Sequence, residues 1–139
     1  MKLVVLRTAL ILVALTGLFA GFVLCFPWTR ATEIYKHFGI ELPATFTAPY
    51  LEYLTYLGAA LSVVVGALYF VAGMWPSRYR NIIPFLGWSL LFIGMVVSYH
   101  GFRLDLPPWP FYPDPIISFL CGAAILFLNR RAWTQGTAE

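Results

Sequence analysis

Charged residues are scarce in this chain of 139 residues: 11% are Asp, Glu, Lys or Arg, whereas 60% are hydrophobic. Soluble domains carry about 25% charged and about 45–50% apolar residues. A soluble fold of this size cannot hide so much apolar surface, because small domains bury only about two-thirds of what the unfolded chain exposes. The composition therefore excludes an ordinary soluble enzyme, a disordered tail and a disulfide-stapled secreted domain, and it predicts a small integral membrane protein.

Motifs that signal catalysis or metal binding are also lacking. The two cysteines, Cys25 and Cys121, form no C-x-x-C pair, which excludes a thioredoxin-type motif. Cys25 lies near the outer boundary and Cys121 about 10 Å inside the start of the fourth helix, so we expect free thiols. No Ser/His/Asp grouping, H-E-x-x-H motif or glycine-rich phosphate loop occurs. The basic residues form no stripe of the kind that binds nucleic acid. The sequence thus predicts a protein that is not an enzyme, with no metal site and no nucleic-acid partner.

Long apolar runs dominate the chain instead. They predict an all-α bundle of four transmembrane helices in a single integral membrane domain, residues 1–139, with helices at about 4–26, 50–75, 82–99 and 115–133. The fourth apolar run is short, but Asp114 and Pro115 suit the N-cap and the first position of a longer helix. The first run lacks a good cleavage site and is expected to remain as an uncleaved helix.

Basic residues are divided unequally between the two ends of the predicted helices. The end that includes both termini carries Lys2, Arg7, Arg78, Arg80, Arg130 and Arg131, with Glu139 as its acid. The opposite end carries Arg30, Lys36 and Arg103, together with Glu33, Glu41, Glu52, Asp105 and Asp114. The positive-inside rule then predicts that both termini are cytoplasmic.

Two outer segments are predicted to hold structure outside the membrane. Residues 29–38 have helical apolar spacing, with Thr29 as a cap and Gly39 as a stop, which predicts a short amphipathic helix. Residues 104–115 form a proline-rich loop, which is stiff because proline fixes φ. Its aromatic residues, Trp109, Phe111 and Tyr112, suit either an interfacial belt or the docking of a partner.

Small residues recur along each predicted span at spacings that let helix backbones approach closely. They are Gly17 and Gly21 on the first span, Gly58, Ser62 and Gly66 on the second, Gly87, Gly94 and Gly101 on the third, and Ser118 and Gly122 on the fourth. Packing inside the chain is the simpler explanation, and docking of another membrane subunit through at least one of these faces is the alternative.

Ionisable residues are nearly absent from the predicted helix interiors. The exception is Arg7, which lies close enough to one end of its helix to reach the headgroups. Carriers normally need charged groups near the midplane, so a self-contained transporter is not expected. Five residues at the outer end could line a pocket for a lipid, quinone or pigment: Tyr53, Tyr56, Tyr99, His100 and Arg103. Surface pairing among Glu52, His100, Arg103 and Asp105 is the alternative explanation for the polar residues at this end.

The first predicted helix leads into Phe26-Pro27-Trp28 and a short outer helix, followed by a second helix rich in small residues at positions 56–60. This order of features resembles the DoxX-like group of small four-helix bacterial membrane proteins. The resemblance implies a bacterial inner membrane, and a link of some members to membrane oxidoreductases that use quinone. Two functions follow as hypotheses: a non-catalytic accessory subunit of an energy-transducing or redox membrane complex, or a stand-alone protein that binds a lipid-soluble ligand.

Overall fold

The computed structural model describes residues 2–25, 28–37, 39, 49–103 and 112–133. Within these ranges the protein is all-helical. Its elements are α1 (Lys2–Ala20), a 3-10 turn (Gly21–Cys25), α2 (Trp28–His37), α3 (Pro49–Met74), α4 (Ile83–Arg103) and α5 (Pro113–Trp133). Four of them, α1, α3, α4 and α5, are long and apolar enough to cross a membrane, as the sequence predicts.

The helix ends follow from proline and glycine. Helix α1 ends at Ala20 and continues as the 3-10 turn of Gly21–Cys25, a tighter winding that is frequent at the C-terminal ends of α-helices. Helix α3 begins at Pro49, where the missing N–H has no intrahelical partner to lose. Gly39 has a φ of 74° and donates its N–H to the Lys36 carbonyl at 3.0 Å, which confirms the predicted stop after α2.

Two predicted helix starts are wrong by a short distance. Helix α5 begins at Pro113, so Asp114 lies in its first turn and is not the N-cap. Both Pro113 and Pro115 are tolerated because first-turn N–H groups are unpaired, and the Asp114 carboxylate faces the positive end of the helix dipole. Helix α2 begins at Trp28, so Thr29 is its second residue, and the Thr32 hydroxyl donates to the Thr29 carbonyl at 2.7 Å.

The chain divides into two compact units. The first unit consists of Met1–Val13 with Tyr69–Glu139, and the second of Ala14–Leu68. The core of the first unit is built from fully or almost fully buried side chains of α1, α3, α4 and α5, namely Leu6, Leu10, Tyr69, Ala72, Ile83, Leu86 and Ile125. Among the residues that the structure describes, no charged side chain is buried.

Glycine sets the packing in both units. In the first, a Cβ built on Gly122 would lie 2.9 Å from the Gly87 carbonyl oxygen, and one on Gly94 would lie 3.3 Å from the Phe119 ring. Helices α4 and α5 therefore approach through their small residues. In the second, Gly17 and Gly66 face each other so closely that a Cβ on Gly17 would lie 3.0 Å from the Gly66 Cα.

A tight turn joins α3 to α4 in the first unit. The Arg78 and Tyr79 N–H groups both donate to the Trp75 carbonyl, at 3.1 and 3.2 Å, and the Ile82 N–H donates to the Tyr79 carbonyl at 2.9 Å. These bonds satisfy backbone groups that the end of α3 leaves free. The short connection predicted from the sequence at residues 76–81 is thus confirmed.

Candidate functional site

A continuous stripe of large side chains covers the outward face of α4. It consists of Phe85, Trp88, Phe92, Met95, Tyr99 and Phe102, each between 60% and 70% exposed. Successive members are three and four residues apart in strict alternation. This spacing is that of the narrow contact seam by which one helix packs against another. We call this set the α4 stripe.

The opposite face of α4 fixes the direction of the stripe. Gly87 and Gly94 are buried against α5, and each lies two residues after a stripe member. Two residues correspond to about 200° around a helix, so packing through Gly87 and Gly94 points Phe85 and Phe92 away from α5. Phe102, at the end of α4, lies beside Tyr112. A stripe residue followed two positions later by a glycine therefore recurs every seven residues along α4.

Two members of the α4 stripe carry polar atoms within the span. Trp88 lies about 8 Å along the helix axis from Ile83, and Tyr99 about 6 Å from Arg103. Within the described ranges neither the Trp88 indole N–H nor the Tyr99 hydroxyl makes a hydrogen bond, although the Tyr99 ring meets that of His100 edge-on at 5.2 Å. Such groups normally find a partner when they leave water, so the stripe offers two donors to whatever packs on it.

An apolar cavity of about 200 Å³ lies between the end of α4 and the start of α5. Its walls include Val97, Phe102, Ile116 and Phe119, and its lining residues with polar side chains are Ser98 and Tyr112. Gly101 also lines the cavity, and a Cβ built on it would meet nothing within 4 Å. The Phe102 and Tyr112 rings, 5.6 Å apart, lie side by side at its edge.

The five residues that the sequence suggested for a ligand pocket fall in both units. Tyr53 and Tyr56 belong to α3 in the second unit, where Tyr53 is exposed and Tyr56 is half-buried. Tyr99, His100 and Arg103 lie at the end of α4 in the first unit, and all three are exposed. The α4–α5 cavity has other walls, and sequence reasoning missed it because no residue pattern marks an empty space.

The residues suggested for partner docking also separate into groups. Trp109 and Phe111 lie outside the described residues, as does Asp105 of the suggested polar cluster. Tyr112 is half-buried beside Phe102. Gly17, Gly21, Ser62 and Gly66 meet within the second unit, which is the internal packing that the small-residue pattern allowed, whereas Gly58 borders open space.

Cys25 and Cys121 are both free, as expected. Within the described ranges no group of three or more His, Cys, Asp or Glu side chains is placed to hold a metal ion. Comparison of the chain with protein-family models, with curated proteins and with solved structures finds no match. Function is therefore inferred from the geometry of the chain itself.

Proposed function

We propose that the protein is a non-catalytic accessory subunit of a larger membrane complex and that the α4 stripe receives a helix of a neighbouring subunit. The observation that carries this proposal is the stripe's regular three-and-four spacing over the length of α4. Phe92 and Met95 place bulky groups at mid-depth, whereas aromatic residues that merely anchor a helix concentrate at the membrane interfaces.

The membrane placement belongs to the same proposal. Four crossing helices would bring both termini to one side, and the basic residues at that end favour the cytoplasm. The proline-rich loop and α2 would then lie outside. The resemblance to the DoxX-like group favours a bacterial inner membrane and a complex that is energy-transducing or redox in character.

Purification from the native membrane in a mild detergent tests the proposal. We expect a stoichiometric partner to accompany the wild-type chain, and the Trp88→Ala, Phe92→Ala double variant to lose it by more than about tenfold, because buried aromatic anchors dominate interface energies. A matched double variant, Leu61→Ala with Leu120→Ala, truncates side chains that are 57% and 66% exposed on α3 and α5 and should retain the partner. An isolated wild-type chain, or equal loss in both variants, would contradict the proposal.

A second candidate function is binding of a lipid-soluble ligand, and the α4–α5 cavity favours it. Its volume of about 200 Å³ is below the roughly 300–1,000 Å³ of typical small-molecule pockets. It therefore suits part of a long molecule: one ring, or a length of isoprenoid or acyl chain. The walls of Val97, Ile116 and Phe119 match such a group, and Ser98 and Tyr112 offer hydroxyls to a carbonyl oxygen.

Filling the cavity separates this candidate from the first. The Gly101→Leu variant should keep its stability, since the new side chain enters open space, and should weaken binding of a short-chain quinone by at least about tenfold. Equilibrium dialysis of the purified chain measures this. The Gly58→Leu variant, also at an open position, is the control. If the wild type binds no quinone, or if both variants bind as well as the wild type, the cavity is not a quinone site.

A further inference from the structure

A second cavity, of about 380 Å³, opens at the end of the first unit where α1 begins and α3 ends. The first two turns of α1 form one side of this groove, with Leu3, Val4 and Arg7. Trp75, Ser77 and Arg78, in the turn after α3, form the other side. The groove thus places two guanidinium groups beside an apolar wall, at the end of the helices where a membrane's headgroups would lie.

Neither guanidinium is neutralised within the described residues. Arg7 directs Nη2 toward the Met74 sulfur at 3.7 Å, and Arg78 lies 6.0 Å from the centre of the Tyr79 ring. The described part of the first unit contains one acid, Asp114, in the first turn of α5. Since α5 packs antiparallel to α4, that carboxylate lies at the far end of the unit from the α3–α4 turn. Within the described residues of the first unit, no acid therefore lies near the groove to balance its two guanidinium groups.

Two other basic residues at this end, Arg80 and Arg131, already have aromatic neighbours. The Arg80 guanidinium lies 4.6 Å from the centre of the Trp133 ring, and that of Arg131 lies 4.3 Å from the centre of the Phe127 ring. These contacts have the geometry of cation–π pairs. Arg7 has no such ring contact within the described residues, and Arg78 has a longer one. Arg7 and Arg78 are thus the basic side chains of the groove that retain donors for a ligand.

We propose that this groove binds an anionic phospholipid, with Arg7 and Arg78 donating to its phosphate and one acyl chain lying along Leu3 and Val4. Planar guanidinium groups suit phosphate because they donate two parallel hydrogen bonds. The Ser77 hydroxyl adds a donor, and Trp75, 55% exposed, has the amphipathic ring that favours the headgroup region.

The apolar side of the groove favours a lipid over a free phosphate ester as the ligand. Leu3 and Val4 are 39% and 64% exposed, and both belong to the candidate span of α1. An acyl chain attached to a bound headgroup would continue along this side of α1, whereas a soluble phosphate ester would leave it uncovered. A zwitterionic lipid has the same phosphate but also a cation, which would face two guanidinium groups. The site therefore favours phosphatidylglycerol over phosphatidylcholine, in the cytoplasmic leaflet if the proposed orientation holds.

Native mass spectrometry of the full chain in an uncharged detergent tests this inference. Phosphatidylglycerol and phosphatidylcholine of equal chain length are the probes, and glycerophosphoglycerol is the soluble competitor. We expect one retained phosphatidylglycerol in the wild type. The Arg7→Gln, Arg78→Gln double variant should bind it at least about tenfold more weakly, because charge-assisted hydrogen bonds are the strong ones. Arg78→Gln alone changes an exposed turn residue and should weaken binding several-fold without affecting the helices.

The matched control is Arg80→Gln with Arg131→Gln, which removes the same charge at the same end but outside the groove. It should change phosphatidylglycerol binding by less than about threefold, since exposed charges act weakly at a distance. Equal retention of phosphatidylcholine, or equal loss in the two double variants, would overturn the site. Displacement by an equal concentration of glycerophosphoglycerol would overturn the assignment to a lipid and leave a phosphate site.

Discussion

Replacing Gly66 by alanine is expected to lower the free energy of unfolding by about 1–3 kcal/mol, the usual effect of an added methyl group in a packed interior. A Cβ at this position would lie 2.9 Å from both the Ala14 carbonyl oxygen and the Leu18 amide nitrogen, and 3.1 Å from the Gly17 carbonyl carbon. All three are backbone atoms of α1, so no side chain can rotate away to make room. The helices of the second unit would have to separate.

Gly58 provides the matched control on the same helix. A Cβ there would meet nothing within 4 Å, so Gly58→Ala adds the same methyl group without a clash. Since alanine is a better helix former than glycine by about 1 kcal/mol, this variant should equal or exceed the wild type in stability. Unfolding of both variants in detergent, followed by circular dichroism, measures the difference. Equal stability of the two variants would contradict the close approach of α1 and α3 in the second unit.

Truncation of Tyr69 to alanine is expected to have the largest effect of any single change, about 3–5 kcal/mol, as for other buried aromatic side chains. Tyr69 is 1% exposed and ties α3 to α4. Its hydroxyl donates to the Leu86 carbonyl at 2.6 Å and lies 3.4 Å from the Ser89 hydroxyl, which donates to the same carbonyl at 2.8 Å. The ring fills the core of the first unit while its polar end remains satisfied.

The Tyr69→Phe variant separates the contribution of ring packing to stability from that of the hydrogen bond. Tyr69→Phe keeps the ring and removes one interhelical hydrogen bond, which in membrane proteins contributes about 0.6 kcal/mol on average and at most about 2 kcal/mol. The loss for Tyr69→Ala should therefore be several times the loss for Tyr69→Phe in the same unfolding measurement. Nearly equal losses would mean that the hydrogen bond, and not the ring, holds the helices together.

Hydropathy was sufficient to predict the four long helices, because a helix that faces lipid needs apolar residues all round and this signal requires no partner. The residues at which the helices begin and end were harder to predict from the sequence. Asp114 resembles an N-cap, yet α5 starts one residue earlier because two prolines fit into its first turn. The 3-10 turn after Ala20 has no hydropathy signal, because its residues, Gly21–Cys25, continue the apolar run of α1.

The candidate sites, like the helices, could be predicted from the sequence only in part. The glycines of α4 and α5 were recognisable from their spacing, but which glycine meets which backbone depends on the helix crossing. The spacing of three and four residues in the α4 stripe could also have been recognised in the sequence. It was not singled out, because large apolar residues are expected throughout a membrane helix. The groove of Arg7 and Arg78 joins residues 71 positions apart, a proximity that only the fold provides.

The few charged side chains that the structure describes lie outside its core. Within the described residues every charged side chain is at least partly exposed, and several basic ones lie at the end where α1 begins and α5 finishes. The described helices instead present apolar surface: between 11% and 28% of each candidate span is buried inside the chain. A partner on the α4 stripe and a lipid in the Arg7–Arg78 groove would cover part of the remainder.

Site-specific photo-crosslinking in the native membrane identifies the molecule that lies against the α4 stripe. A benzophenone amino acid is introduced at Phe92 and, in a second variant, at Leu120 on α5; the two native side chains are 63% and 66% exposed. We expect position 92 to form one discrete adduct with another protein and position 120 to form none. Lipid adducts alone at position 92, or the same protein adduct at both positions, would contradict this expectation.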